Sequence, residues 1–138
     1  CSINNLRDDT FMTSIVQAVN TVTGALRGIE TDVCVQGTED SRYAFCIREV
    51  YDSVRETVTN AMRYSGADRI DMILKFLPER FEAYILDNGR GCADISEHNG
   101  LKGIRSRTEA LGGTVKFSSV EGEGFSTVIK IPVKEADS

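Results

Sequence analysis

Apolar residues in the first half of this chain recur at spacings of three and four, which is the period of an amphipathic helix. Two helices are predicted on this basis. The first is ended by Gly28, and its buried stripe consists of Phe11, Ile15, Val19, Val22 and Leu26. The second runs from about Ser41, a candidate N-cap, to Gly66, a candidate C-terminal stop. Its buried stripe consists of Ile47, Val50, Tyr51, Val54, Val58 and Ala61.

Elsewhere the apolar residues alternate with polar ones, which is the period of a half-buried strand. This alternation predicts strands at residues 31–37, 70–76, 81–85, 114–120 and 125–133. The second and third of these strands flank a turn and form a β-hairpin. A short third helix contains Ile104, Thr108 and Leu111 and is closed by Gly112 and Gly113. About five strands and three helices indicate a two-layer α/β arrangement.

Composition indicates one globular domain. The chain has 138 residues, 41% of them hydrophobic and 27% charged, and we expect a polar stub at residues 1–9 before a domain at residues 10–138. No apolar run approaches the roughly 20 residues that a membrane helix needs. The net charge of −5 argues against a nucleic-acid partner. The four cysteines form no C-x-x-C pair, so reduced thiols are expected rather than a zinc site or a disulfide framework.

The second predicted helix carries a polar face as well as an apolar one. At about 100° per residue, Glu56, Asn60 and Arg63 lie close together, opposite the buried stripe. An amide oxygen can bind Mg²⁺, a carboxylate can orient or deprotonate water, and a guanidinium pairs with phosphate oxygens. A solvated helix face would look the same, so this trio predicts a metal-nucleotide site only with support from other segments.

Two glycine-rich segments supply that support. Asp87 opens the first, Asp-Asn-Gly-Arg-Gly, directly after an apolar strand. A carboxylate there can accept a hydrogen bond from the amine of a base, and glycines let the backbone approach a ligand. The second segment, residues 100–103, leads into the third helix, whose first N–H groups can receive phosphate oxygens with help from Lys102 and Arg105. Taken singly, the first segment is also compatible with a simple glycine turn and the second with a flexible loop.

In order and combination, these segments resemble the sensor histidine kinases of two-component systems. Residues 55–67, RETVTNAMRYSGA, resemble the N box of the subfamily that signals to response regulators with helix-turn-helix output domains. Residues 87–91 resemble the first glycine box. Residues 100–107, GLKGIRSR, with the later LGG, are similar to the second glycine box and the helix after it. Residues 122–127, GEGFST, resemble the closing glycine turn and the strand beyond, so that the resemblance covers residues 11–133.

The resemblance implies the Bergerat ATP-binding fold, an α/β two-layer sandwich with about three helices on one face of a mixed sheet of about five strands. It implies that Asn60 binds Mg²⁺ and that Asp87 hydrogen-bonds the adenine amine, supported by Thr127 directly or through a water. The residues implied to contact ATP are Asn60, Arg63, Asp87, Gly89, Gly91, Gly100, Leu101, Lys102, Gly103 and Thr127. Glu56 and Asn60 are the candidate catalytic residues. The role of Glu56 stays open, because its counterpart in hydrolytic relatives activates water whereas a kinase must suppress hydrolysis.

The implied function is to bind Mg²⁺-ATP and to donate the γ-phosphoryl group to a histidine in a dimerisation segment that we expect to precede the first helix. The chain alone is then expected to bind ATP without efficient autophosphorylation. Its only histidine, His98, is expected to be a solvent-facing residue of the lid over the phosphates. Tyr64, where the subfamily often has histidine, departs from the pattern. The implied partners are the dimerisation segment and a helix-turn-helix response regulator, in the cytoplasm, whether or not the parent kinase is anchored in the inner membrane.

Two alternatives share the sequence features. One is a serine kinase and partner-binding module of the same fold, of the anti-sigma-factor type, which would phosphorylate a small partner protein on serine. The other is a degenerate scaffold that binds partners without nucleotide, which predicts no measurable affinity for ATP.

Overall fold

The computed structural model of the chain describes residues 14–62, 66–89, 101–120 and 124–133. The elements in chain order are α1 (Ile15–Gly24), β1 (Glu30–Gly37), a 3₁₀ helix (Ser41–Cys46), α2 (Ile47–Asn60), β2 (Arg69–Phe76), β3 (Arg80–Asp87), α3 (Leu101–Ala110), β4 (Thr114–Val120) and β5 (Gly124–Pro132). The predicted helices and strands are all present, which confirms the two-layer α/β prediction. None of the described helices combines the length and apolar character that a membrane crossing requires.

The strands form one sheet in the order β1-β2-β3-β5-β4. β1 and β2 are parallel, because the chain crosses over through α2 between them, and all other neighbours are antiparallel. The sheet is therefore mixed, as expected. Asp87, the last residue of β3, is paired with Ile70 near the start of β2 and with Phe125 near the start of β5. Three strand ends thus meet at one end of the sheet.

The hydrophobic core lies between the helices and one face of the sheet. Along β2 every second residue is buried, as its alternating pattern predicts. The fully buried aliphatic side chains of this core come from both layers and include Ile15, Val19, Val50, Val54, Ile70, Leu74, Ile104, Ile129 and Ile131. Burial of each such side chain is worth roughly 1.5–3 kcal/mol. In the helical layer α2 contacts both α1 and α3, so α2 lies between them.

The start of the second helix differs from the prediction. Asp40, not Ser41, is the N-cap: its carboxylate accepts a hydrogen bond from the N–H of Arg42 at 3.0 Å and opens the 3₁₀ helix that precedes α2. That tighter helix buries Tyr43, whose hydroxyl donates to the carbonyl of Leu77 at 2.6 Å. Over six residues a period of 3.0 is hardly distinguishable from one of 3.6, so the apolar spacing alone predicts a continuous α-helix.

The helix ends fall a few residues before the predicted glycines. α1 ends at Gly24, and Leu26 packs against the core from the following turn, where Gly28 has a φ of 76°. α2 ends at Asn60 and continues into a wider turn before Gly66, which has a φ of 64°. Both glycines adopt the left-handed conformation expected after a helix, so they mark the turns beyond the helix termini.

A carboxylate from a distant part of the chain holds the N-terminus of α1. Glu39, which follows β1, accepts hydrogen bonds from the N–H groups of Ile15 and Val16, the second at 3.2 Å. The hydroxyl of Ser14 accepts from the N–H of Gln17 at 2.9 Å. First-turn N–H groups have no partner within the helix, and a negative charge is favoured there by the helix dipole. Glu39 thereby ties α1 to the end of β1.

The two described cysteines, Cys34 and Cys46, are free thiols. Burial raises the pKa of Cys46 to about 12, with smaller contributions from Glu49 and Glu39. Cys46 is therefore protonated at neutral pH, whereas Cys34 is exposed on β1. The remaining cysteines, Cys1 and Cys92, lie outside the described residues.

Gly37, the last residue of β1, is expected to tolerate no side chain. Its φ is 86°, and an added Cβ would lie 2.3 Å from the carbonyl oxygen of its β2 neighbour Phe76. Gly37→Ala is expected to lower the free energy of unfolding by about 2–4 kcal/mol, because both strands must move. Urea denaturation followed by circular dichroism measures the loss.

Gly24→Ala is the matched control. Gly24 lies in the last turn of α1, and an added Cβ would meet no atom within 4 Å. We expect this variant to be neutral or up to about 1 kcal/mol more stable, since alanine favours the helix. Equal losses in the two variants would contradict the steric explanation for Gly37.

Candidate functional site

Asp87 stands at the end of β3, on the sheet face that the helices cover. Alternation along β3 puts it on the same face as the buried residues Ala83 and Ile85. Desolvation raises the pKa of Asp87 above its ordinary value, while hydrogen bonds from the backbone of Gly89 and Phe125 act in the opposite direction. The bond from the Gly89 N–H to Oδ1 is 2.8 Å long. A carboxylate has about four acceptor positions, so Asp87 can still receive a donor from a ligand.

Asn88 fixes the turn that follows Asp87. Its Oδ1 accepts hydrogen bonds from the N–H groups of Asp68 and Arg69 at 3.1 and 3.0 Å, and its Nδ2 donates to the Asp68 carboxylate at 2.7 Å. Its own N–H donates to the Arg69 carbonyl at 3.2 Å. The Asp-Asn-Gly turn is therefore anchored to the start of β2, and Gly89 is buried beside Asp87.

Thr127 on β5 belongs to the same group. It lies two residues after Phe125, the partner of Asp87, on the same face of the sheet. Thr127 is fully buried, and its hydroxyl has no hydrogen-bond partner in the described part of the chain. A buried hydroxyl without a partner costs about 1–3 kcal/mol, so this one marks a place where a ligand or water can bind.

A close approach of backbone brings β5 against the end of β3. Gly124 has a φ of 127°, and a Cβ there would lie 2.3 Å from the carbonyl oxygen of Asp87. Only glycine fits this position without moving one of the two strands. The glycine turn quoted in the sequence analysis therefore has a steric reason at Gly124.

The polar face of α2 meets α3. Glu56 is half-buried and forms an ion pair with Arg107, while Asn60 lies one helical turn later and is also half-buried. Between the two helices, Ser53 accepts a hydrogen bond from Nε of Arg107 at 3.4 Å. Glu56 and Asn60 therefore share one face of α2, as predicted, and Glu56 has a cationic partner that the sequence did not indicate.

The second glycine-rich segment begins α3 itself. Leu101, Lys102 and Gly103 occupy the first helical turn, so the helix starts earlier than the predicted loop-to-helix boundary. Leu101 is buried in the core, whereas Lys102 is exposed. The N–H groups of a first helical turn lack intrahelical partners and can receive an anion.

The predicted site residues thus fall into two groups. Asp87, Gly89 and Thr127 meet at the end of the sheet, and Glu56, Asn60 and Gly103 lie where α2 meets α3. Several residues that the sequence analysis singled out lie outside the described residues: Phe11, Arg63, Tyr64, Gly91, His98 and Gly100.

The chain is similar in sequence to bacterial sensor proteins. It is 38% identical over 88 residues to the nitrate/nitrite sensor protein NarQ of Escherichia coli, a match that covers 61% of this chain and 15% of NarQ. It is 30% identical over 84 residues to the sensor histidine kinase LiaS of Bacillus subtilis, covering 58% of this chain and 23% of LiaS. The chain therefore matches less than a quarter of either relative's length. No protein-family model matches the sequence.

Solved structures define the fold. The ATP-binding domain of PrrB from Mycobacterium tuberculosis superimposes with a TM-score of 0.69 at 18% identity, covering 89% of this chain and 94% of that domain. This chain has the fold of the histidine kinase ATP-binding domain. The histidine kinase AdeS of Acinetobacter baumannii gives a TM-score of 0.66 at 21% identity, covering 88% of this chain and 64% of that one. The histidine kinase domain of the blue-light-activated histidine kinase of Erythrobacter litoralis gives a TM-score of 0.62 at 21% identity, covering 84% of this chain and 56% of that one. The resemblance to sensor histidine kinases is confirmed.

Two polar anchors of this histidine kinase fold were missed by the sequence analysis. Asn88 was treated only as part of a glycine turn, and its contacts with the backbone of Asp68 and Arg69, 20 and 19 positions earlier in the chain, have no signal in the local sequence. Arg107 lies in the quoted GLKGIRSR segment, but nothing in its spacing indicates a contact with Ser53 and Glu56 more than 50 residues away.

Asp87→Asn is expected to raise the melting temperature of the ligand-free chain at pH 7. The folded-state pKa of Asp87 lies above its unfolded value, so ionisation destabilises the folded chain at pH values above both. This penalty is absent below the ordinary aspartate pKa of about 3.9. The difference in melting temperature between the variant and the wild type should therefore shrink as the pH falls from 7 towards 4. Thermal unfolding across that pH range measures it.

Asp32→Asn supplies the control, because Asp32 is an exposed residue of β1. Its melting temperature at pH 7 should differ from that of the wild type by less than that of Asp87→Asn does. An advantage of Asp87→Asn that persists undiminished at pH 4 would contradict desolvation as its cause.

Proposed function

We propose that this chain binds Mg²⁺-ATP and donates the γ-phosphoryl group to a histidine in the dimerisation segment of a sensor histidine kinase. Similarity to LiaS and the shared fold support a kinase. The observation that carries the nucleotide proposal is the fully buried, unpartnered hydroxyl of Thr127 beside the desolvated carboxylate of Asp87. The two groups are diagonal neighbours on adjacent strands and lie on one face of the sheet.

An adenine edge fits this pair. This edge has an amine donor next to a ring-nitrogen acceptor. The Asp87 carboxylate accepts a hydrogen bond from the amine, and the Thr127 hydroxyl donates one to the ring nitrogen, directly or through a water. Gly89 is buried in the same place and lets the backbone approach the base. Such hydrogen bonds are stronger than in water because Asp87 is partly and Thr127 fully withdrawn from solvent.

The groups near α2 and α3 fit the metal and the phosphates. The amide oxygen of Asn60 suits Mg²⁺, which when bound neutralises phosphate charge. Lys102 and the first-turn N–H groups of α3 suit phosphate oxygens. Arg63, Gly91 and Gly100 join this set on the sequence resemblance alone.

Phosphoryl transfer depends on positioning and charge neutralisation, so this domain supplies no nucleophile of its own in the proposal. The histidine of the dimerisation segment attacks, and a response regulator with a helix-turn-helix output domain then receives the phosphoryl group. We place the domain in the cytoplasm, where ATP is available, whether or not the parent kinase is anchored in the inner membrane.

Calorimetric titration with a non-hydrolysable ATP analogue and Mg²⁺ tests the proposal. The wild-type chain should show saturable binding, and Asp87→Asn should weaken it by at least about tenfold through loss of a charged acceptor. Asn60→Asp should change how binding depends on Mg²⁺ concentration, because it adds a charge to the metal ligand. No binding by the wild type would overturn the proposal in favour of a nucleotide-free scaffold.

Thr127→Val should raise the stability of the ligand-free chain but lower its affinity for nucleotide. The variant keeps the shape of threonine but removes the unpartnered hydroxyl, so the ligand-free chain should gain about 1 kcal/mol of stability. The affinity for the analogue should fall, because the ligand or its water loses a partner. Urea denaturation and calorimetry measure the two effects, and a loss of ligand-free stability would show that the hydroxyl is satisfied without nucleotide.

A further inference from the structure

Glu56 is held by Arg107 in a contact that joins α2 to α3. The guanidinium donates through Nη2 to Oε1 of Glu56 and through Nε to the hydroxyl of Ser53 at 3.4 Å. The side chains of Glu56 and Arg107 are 35% and 27% exposed, and Ser53 is 2% exposed. The pair is therefore partly withdrawn from water, and salt screens it less than a surface pair.

The first turn of α3 leaves room for this contact. A Cβ on Gly103 would lie 3.3 Å from Nη1 of Arg107 and 3.4 Å from Oε1 of Glu56. The distance to Arg107 is tighter than an ordinary contact and the distance to Glu56 is at the lower limit of one, so a side chain at Gly103 would lie directly against the ion pair. Three separate positions, Ser53, Gly103 and Arg107, thus fix where the Glu56 carboxylate lies.

The restraint matters because Glu56 lies where its carboxylate could activate a water molecule. Residues four apart on a helix are neighbours, so Glu56 lies next to Asn60, the proposed Mg²⁺ ligand. A carboxylate beside bound phosphates can take a proton from water. The water oxygen would then bond to the γ-phosphorus, the bond from that phosphorus to the bridging oxygen would break, and ADP and phosphate would leave. By this reaction a kinase would lose to water the phosphoryl group that it should transfer to histidine.

We propose that Arg107 is a positioning residue that keeps the Glu56 carboxylate from activating water, so that histidine rather than water accepts the phosphoryl group. The guanidinium donates to Oε1 of Glu56 through one nitrogen and is itself anchored to Ser53 through another, so it holds the carboxylate in one orientation against α3. This inference rests on the proposed function.

Hydrolysis of Mg²⁺-ATP by the chain tests the inference. Arg107→Met should raise the hydrolysis rate at least about tenfold, since a positioned general base contributes roughly 10²–10⁴-fold. Arg107→Lys should keep the low wild-type rate, because its ammonium can still pair with Glu56. Adding Glu56→Gln to Arg107→Met should return the rate to that of the wild type, which loss of packing alone would not do.

Arg80→Met is the matched control, because Arg80 pairs with Glu82 on the sheet face opposite the helices. It should leave hydrolysis unchanged. Should Arg107→Met fail to fold, Arg107→Gln carries the same expectation while keeping a donor for Ser53.

Thermal unfolding without nucleotide gives a second readout. Arg107→Met and Glu56→Gln should each lower the melting temperature, and the double variant should lose less than the sum of the two shifts, because both changes break one interaction. Additive shifts would show that the pair is not formed and would overturn the inference.

The nucleotide titration separates the two proposals. An Arg107→Met variant that binds the ATP analogue like the wild type but hydrolyses ATP no faster overturns the role of Arg107 and leaves the proposed function intact. A wild-type chain that binds no nucleotide overturns both.

Discussion

The pairing of β3 with β2 on one side and β5 on the other is the constraint on which the candidate site depends. It makes β3 a central strand, so Asp87 reaches the end of the sheet with neighbours on both sides. The contact with β5 is so close that Gly124 has no space for a Cβ against the Asp87 carbonyl. Because of this register, a carboxylate and the Thr127 hydroxyl share one buried face, which neither strand alone could arrange.

The ligand-free chain bears the cost of this arrangement. Asp87 is partly desolvated and the Thr127 hydroxyl lacks a partner, whereas the core beneath them is built from fully buried aliphatic side chains. The Thr127 hydroxyl, one of two buried side-chain oxygens without a hydrogen-bond partner in the described residues, thus lies where the proposed ligand would bind, and a ligand that satisfies it would recover the lost hydrogen bond. Stability and binding place opposite demands on the same two side chains.

Periodicity in the sequence predicted the elements well, because burial of one face imposes a repeat that each segment carries locally. The strict alternation of β2 and the stripe through Val54 and Val58 are examples. The order of the strands in the sheet could not be predicted from periodicity, because no local pattern indicates that β5 lies between β3 and β4. The same limit applies to polar contacts between distant residues. Asp87 and Asn60 could be proposed from their chemistry and family resemblance, but the hold of Arg107 on Glu56 depends on how α2 and α3 pack.

The capping of α1 by Glu39 has a mechanical consequence. The helix N-terminus is fastened to a single residue that lies 24 positions after Ile15 and 23 after Val16, just beyond the end of an edge strand. A force applied to the backbone before Ser14 would therefore act on this carboxylate as well as on the first helical turn. Part of the force would be transmitted through Glu39 to the sheet. The first turn of α1 would therefore be held against unwinding, and the helix would move together with β1.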